Sequence, residues 1–225
     1  MRRVATLAVI LTGVLCADAR AELVISFTAD GSLFHAKVAP GSMVAVPVYI
    51  RQTGNPADDG IDLSKDEIFK AGVELKYDVG ADEAKVLAVD LHPYWNAFTQ
   101  KGSSDALGIA AMYGFNLDTG PLPTGNPMPI GTVTFRAGSK PGVVTDIFSR
   151  DVTASGVVPY VEEIVIGVVG GNPVVLDGNV FDPNVYAKIE TIPEPSTLCL
   201  TLLGVSLASI YIVRCRSRSQ AVRQR

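Results

Sequence analysis

The 225-residue chain has three cysteines, Cys16, Cys199 and Cys215, and none between residues 22 and 192. That absence removes a disulfide framework, a cysteine nucleophile and a thiolate metal site from the middle of the chain. Histidine is equally scarce, with only His35 and His92, so a catalytic constellation there would be built almost wholly from carboxylates. A glycine-rich phosphate loop, a nucleophile elbow and a metalloprotease motif are all missing. Sustained helical periodicity is missing from 22–190 as well, apart from a short turn around 81–85.

Charge is present but unevenly placed. Residues 1–21 carry three arginines against Asp18, a net +2; residues 22–192 carry 11 basic and 21 acidic side chains, a net −10; residues 193–225 carry five arginines against Glu194, a net +4. An acidic middle repels phosphates, which argues against nucleic acid as a partner. The two ends are apolar and positively flanked.

Arg2 and Arg3 followed by the apolar run 4–15 have the charged and hydrophobic regions of a secretory signal peptide, and Ala17, Ala19 and Ala21 supply small residues for cleavage. The run is too short for a membrane span of about 20 residues. Leu15 before Cys16 argues against lipid attachment, which wants a small residue there. The expected domain organisation is a signal peptide at 1–21, a folded domain at 22–190 and a terminal segment at 191–225. In that segment, 196–213 is 18 uncharged, mostly apolar residues, about 27 Å as a helix at 1.5 Å per residue. That is just enough to cross a hydrocarbon core of about 30 Å. Arg214, Arg216, Arg218, Arg223 and Arg225 follow, so the tail is expected to stay cytoplasmic and the acidic domain to lie outside.

Pro193, Glu194 and Pro195 stand immediately before the apolar run. Tripeptide, helix, arginine-rich end and signal peptide together resemble the PEP-CTERM sorting arrangement of exported bacterial proteins. The resemblance implies an exosortase and the secretion machinery as partners, and cleavage near the motif. The chain would sit transiently in the inner membrane and then reach the envelope, outer surface or extracellular matrix.

Between 22 and 190, apolar residues recur at every second position in short runs broken by Gly, Pro, Asn and Asp. The runs are 23–27, 32–38, 43–51, 68–77, 85–91, 107–115, 130–137, 143–147, 161–169, 174–176 and 185–189. Period-two alternation at this spacing predicts an all-β sandwich or barrel. Pro47 lies inside a strong run and lacks the ladder donor, so that strand is expected at an edge or locally broken. Segments 52–67 and 118–129, rich in Gly, Pro, Asp and Asn, are expected loops.

Several of these runs resemble cohesin domains. Pro40 and Gly41 lead into Val46-Pro47-Val48; Gly72 opens a run ending in Tyr77-Asp78; 86–89 follows; and Gly131-Thr132-Val133-Thr134-Phe135 matches a late-strand pattern. The matches run in order over about 100 residues. They imply a jelly-roll β-sandwich without catalytic activity and a protein partner, which for many cohesins is a calcium-organised dockerin. The segment 52–67 and the strands after residue 148 depart from the pattern, and no dockerin-contact residue is carried over.

Asp58, Asp59 and Asp62 could bind calcium through oxygen, but without the alternate spacing and terminal Glu of an EF-hand loop they read first as a solvated loop. No other cofactor is expected. Glu162 and Glu163 are adjacent on a strand and point to opposite faces, which does not make a hydrolytic carboxylate pair. Tyr94, Trp95 and Phe98 cluster the only tryptophan with other aromatics; they either contact a sugar or a partner, or plug one end of the core with Trp95 and Phe98. His35 is expected on the surface. The expected function is protein–protein adhesion or scaffolding, with carbohydrate binding to matrix polysaccharide as the alternative. An exposed planar strip of Tyr94, Trp95 and Phe98 would mark the second.

Overall fold

The structure, a computed structural model, describes residues 22–53, 62–117, 124–150, 157–158, 166–169, 172–175 and 186–193. The signal-peptide residues, Glu194, Pro195, the apolar run 196–213 and the arginine tail lie outside them. Among the described residues no helix is long and apolar enough to cross a membrane.

Among the described residues twelve strands form two sheets. They are β1 (Glu22–Ser26), β2 (Phe34–Val38), β3 (Met43–Thr53), β4 (Glu67–Tyr77), β5 (Lys85–Leu91), β6 (Ala97–Ser104), β7 (Ile109–Phe115), β8 (Met128–Arg136), β9 (Val144–Arg150), β10 (Ile166–Val169), β11 (Asn172–Val175) and β12 (Tyr186–Thr191). The smaller sheet has the order β1-β3-β8-β5. The larger runs β11-β10-β4-β9-β12-β2, with β7 against the free edge of β4 and β6 against β7. All pairings are antiparallel except β12 with β2, which run parallel from Ala187↔Phe34 to Thr191↔Val38.

The alternation read from the sequence is the burial pattern. In β3, Val44, Val46, Val48 and Ile50 are buried while the residues between them face outward. Ile130, Val133 and Phe135 of β8 join them, and Val73, Leu75, Tyr77, Met112, Ile147 and Ile189 meet them from the larger sheet. Strand β4 departs from a two-faced pattern because both its faces are covered. Glu74 on its outward side is fully buried and accepts from Arg150 Nε at 2.5 Å. A buried carboxylate needs such a partner to offset the loss of its hydration.

The sheets meet at Tyr77, whose ring packs edge-on against Phe135 at 5.3 Å. The Tyr77 hydroxyl donates to Asp105 Oδ1 at 2.8 Å, and the same oxygen accepts from Val86 N at 3.2 Å. Asp105 therefore ties the larger sheet to β5 of the smaller. Burial, followed by the Asp105 hydrogen bond, pushes the Tyr77 phenol up.

Two expectations are sharpened. Pro47 lies in β3, which is flanked on both sides, but β1 reaches only Tyr49–Thr53. Over Pro47 the strand has β8 alone as partner, through Thr132, so the missing donor faces no strand. Strand β6 was not among the expected runs: its residues are mostly exposed, because it is the sheet's outermost strand and has little core to meet.

Replacing Phe135 by Ala should lower unfolding free energy by about 3–5 kcal/mol, read as a drop in the urea midpoint with an unchanged slope. A loss under about 1 kcal/mol would mean the sheets are not held there.

Candidate binding site

One pole of the sandwich gathers the ends of β3, β5, β7 and the starts of β4, β6 and β8. Chain exit at Thr191 lies at the other pole, beside Val38 and Val143.

At the first pole β5 runs on through His92, whose N–H donates to Ile130 O at 2.8 Å, and a turn is closed by Trp95 N to His92 O at 3.0 Å. The turn drives the Trp95 indole into the end of the core, where it is 2% exposed and donates to Pro129 O at 3.1 Å. Gly114 leaves the space: a Cβ there would lie 2.8 Å from Trp95 Cβ. Trp95 is thus a plug, as one of the two readings held, and not a contact residue. Phe98 departs from that reading. It is 71% exposed, because a register shift in β6 between Ala97 and Gln100 turns it outward.

Phe98 also has a φ of 47°, a region that a bulky side chain occupies only under strain. Its ring meets Phe115 edge-on at 5.7 Å, and Phe115 in turn lies 6.1 Å from Phe69 and under Lys70 Nζ at 5.4 Å. Leu117, whose N–H donates to Asn96 Oδ1, and Tyr94 are also exposed. Tyr94 packs against His92 at 4.2 Å, and burial holds the His92 imidazole below its ordinary range. The turn also opens onto a shallow groove of about 240 Å³ on the outward face of the smaller sheet, lined by Pro47, Tyr49, His92, Pro93, Pro129 and Thr132. Its floor needs Gly131, where a Cβ would collide with Asp90 O. Asp90 at its edge is paired with Lys101 at 2.9 Å.

The two expected loops are tied together at this pole. Asn126 Oδ1 accepts from Gln52 N, and Asn126 Nδ2 donates to Gln52 O, both at 3.0 Å, copying a strand pairing with a side chain. Gln52 Oε1 accepts from Leu63 N at 2.9 Å, and Gly125 N donates to Leu63 O at 2.5 Å. Nothing in the apolar spacing signals this strap, since it is made of amides.

Asp62 is occupied within its own turn. Its Oδ1 accepts from Ser64 N at 3.0 Å and Ser64 Oγ at 2.5 Å, and its Oδ2 from Lys65 Nζ at 2.5 Å. Lys65 and then Ser64 lower its pKa to about 2. Of the three calcium candidates, Asp62 is thus engaged within its own turn, while Asp58 and Asp59 lie outside the described residues. No group of three His, Cys, Asp or Glu among the described residues could hold a metal ion. Asp30 is held similarly, with the Ser32 hydroxyl and N–H bringing it to about 2. His35 is on the surface, 2.9 Å from Glu190. Glu162 and Glu163 lie outside the described residues.

No family model matches the chain, and no curated protein matches it. Among solved structures, it is similar to the seventh ScaB type I cohesin of Pseudobacteroides cellulosolvens, at 15% identity over 79% of this chain and 96% of that one, with a TM-score of 0.51. The third ScaC cohesin of Acetivibrio cellulolyticus, in complex with a ScaB dockerin, matches at 17% identity over 77% and 99%, with a TM-score of 0.47. The chain therefore has a cohesin-like β-sandwich fold.

Asn adopts the left-handed region at lower cost than Phe. Phe98→Asn should leave the urea midpoint unchanged or raise it, although it deletes an aromatic ring. A loss above about 1 kcal/mol would show that packing on Phe115 outweighs the backbone strain. Asp30 and Asp62 have folded pKa values of about 2, below the unfolded value of about 3.9. Their contribution is present above about pH 4 and is lost as pH falls through about 2. The doubly substituted Asp30→Asn, Asp62→Asn protein should lose less stability than the parent between pH 4 and 2, measured by urea titration at each pH.

Proposed function

We propose that this is an exported surface protein whose non-catalytic sandwich grips a partner protein, and whose last 33 residues are a sorting signal that an exosortase recognises and cuts. The signal peptide delivers the chain, the apolar run 196–213 stops transfer, and Arg214, Arg216 and Arg218 hold the tail on the cytoplasmic side. Recognition at Pro193-Glu194-Pro195 and the helix then releases the domain to the envelope or matrix.

The observation that carries the binding half is Phe98. A strained backbone that turns an aromatic ring into water is retained where the ring has a task, and aromatic anchors dominate protein interfaces. Tyr94 and Leu117 are also exposed on segments that meet at this pole. Carbohydrate is the weaker reading, because burial of Trp95 takes the indole out of the strip that sugar stacking would use. The cohesin-like fold favours a protein partner by analogy alone.

The test of sorting is fractionation of cells that possess an exosortase, with intact masses of the wild type and a Pro193-Glu194-Pro195 to triple-alanine variant. The wild type should appear outside the inner membrane in shortened form, and the variant should stay full-length in the membrane. Both remaining full-length would leave a plain single-span anchor displaying a sandwich.

A further inference from the structure

Where the sandwich ends is fixed atom by atom at β12. Thr191 is 2% exposed. Its N–H donates to Val143 O at 2.9 Å, and its carbonyl accepts from Gly142 N at 2.6 Å. Its hydroxyl accepts from Val143 N at 3.1 Å and donates to Lys140 O at 2.5 Å. One residue later, Ile192 N donates to Val38 O at 2.8 Å. Pro193 is exposed and has no N–H to give. The fold therefore holds the chain through Ile192, and the ladder stops at the first residue of the Pro-Glu-Pro motif.

A peptidase binds its substrate as an extended strand, through the substrate's own backbone. Residues next to the scissile bond must be free of other pairing, and paired central strands open only with the most stable parts of a fold. A cut at 191–192 or 192–193 needs the bonds of Thr191 and Ile192 to be stripped from β9 and β2. A cut inside the motif still draws both residues into the cleft, because they directly precede it. A cut beyond Pro195 puts Pro193, Glu194 and Pro195 between Ile192 and the scissile bond. With prolines at both ends they favour an extended helix of about 3.1 Å per residue, a stand-off of roughly 9 Å.

We infer that the cut that frees the domain falls beyond Pro195, so that the released chain keeps Pro193, Glu194 and Pro195. This rests on the sorting reading and adds the position of the cut. In the step, an amide C–N bond beyond Pro195 breaks and its carbonyl carbon takes the oxygen of a water molecule. The nitrogen leaves with a proton as the amino terminus of the arginine-bearing tail. On this account the motif is also a rigid spacer that keeps the folded domain clear of the enzyme.

The test is the intact mass of the released form of the full-length protein, expressed in cells with an exosortase, beside the triple-alanine variant. A carboxyl terminus at Pro195 or later supports the inference. A terminus at Glu194 or earlier overturns it while leaving the sorting reading standing. Full-length wild type and variant together overturn both. A second measurement needs no exosortase: the full-length protein in detergent is trimmed with thermolysin and the products are weighed. Sandwich-containing products should end at Pro193 or later, and a folded product ending at Thr191 or earlier would show that the fold sets no limit.

Discussion

The constraint on which the rest of the structure depends is that two sheets with opposed apolar faces must be held in one registration. Tyr77 and Phe135 set it from the ends of β4 and β8, ring edge against ring face. Asp105 locks it by accepting from Tyr77 and from Val86 across the gap. A tyrosine serves here where phenylalanine would not, because its hydroxyl reaches a polar group at the edge of the core while its ring stays dry. With the sheets fixed, the strand ends at each pole are fixed too, and the site at the first pole follows from them.

The fold was legible where one face of a strand meets the core and the other meets water. In β3 and β12 every second residue is buried, so period-two spacing alone places them. It failed at β6, where Gln100, Lys101 and Ser103 face outward and the strand survives on backbone pairing to β7. Strand β4 was legible by the same alternation, Val73, Leu75 and Tyr77 alternating with Glu74 and Lys76, although both its faces are covered. Yet nothing in its spacing announces that Glu74 is a buried charge awaiting Arg150 seventy-six residues later.

The candidate site was legible only as a composition. An aromatic cluster at 92–98 stands out in a chain with one tryptophan, but its division of labour does not. Trp95 goes inward because Gly114 leaves room and Pro129 offers a carbonyl. Phe98 goes outward because β6 slips register beside it. Both are consequences of strand pairing over distances that a local pattern does not encode. The amide strap of Gln52 and Asn126 belongs to the same class, whereas Asp62 is a local case, its oxygens used by neighbours two and three residues away. That last case was within reach of the sequence, since Asp-x-Ser-Lys is a self-capping turn.

The parallel pairing of β12 with β2 sets an order of events. Strand β2 is among the first parts of the domain to be made, and its lateral partner, from Ala187 to Thr191, is among the last. Until then Phe34, Ala36 and Val38 have no strand beside them, and β9 lacks its neighbour on that flank. Contacts between such distant parts of a chain form slowly, because the whole intervening length must be gathered first. Nearly the entire domain must therefore be made before its seam can shut. During that interval an unpaired sheet edge is open to wrong partners, and the last few residues to emerge decide when the danger ends.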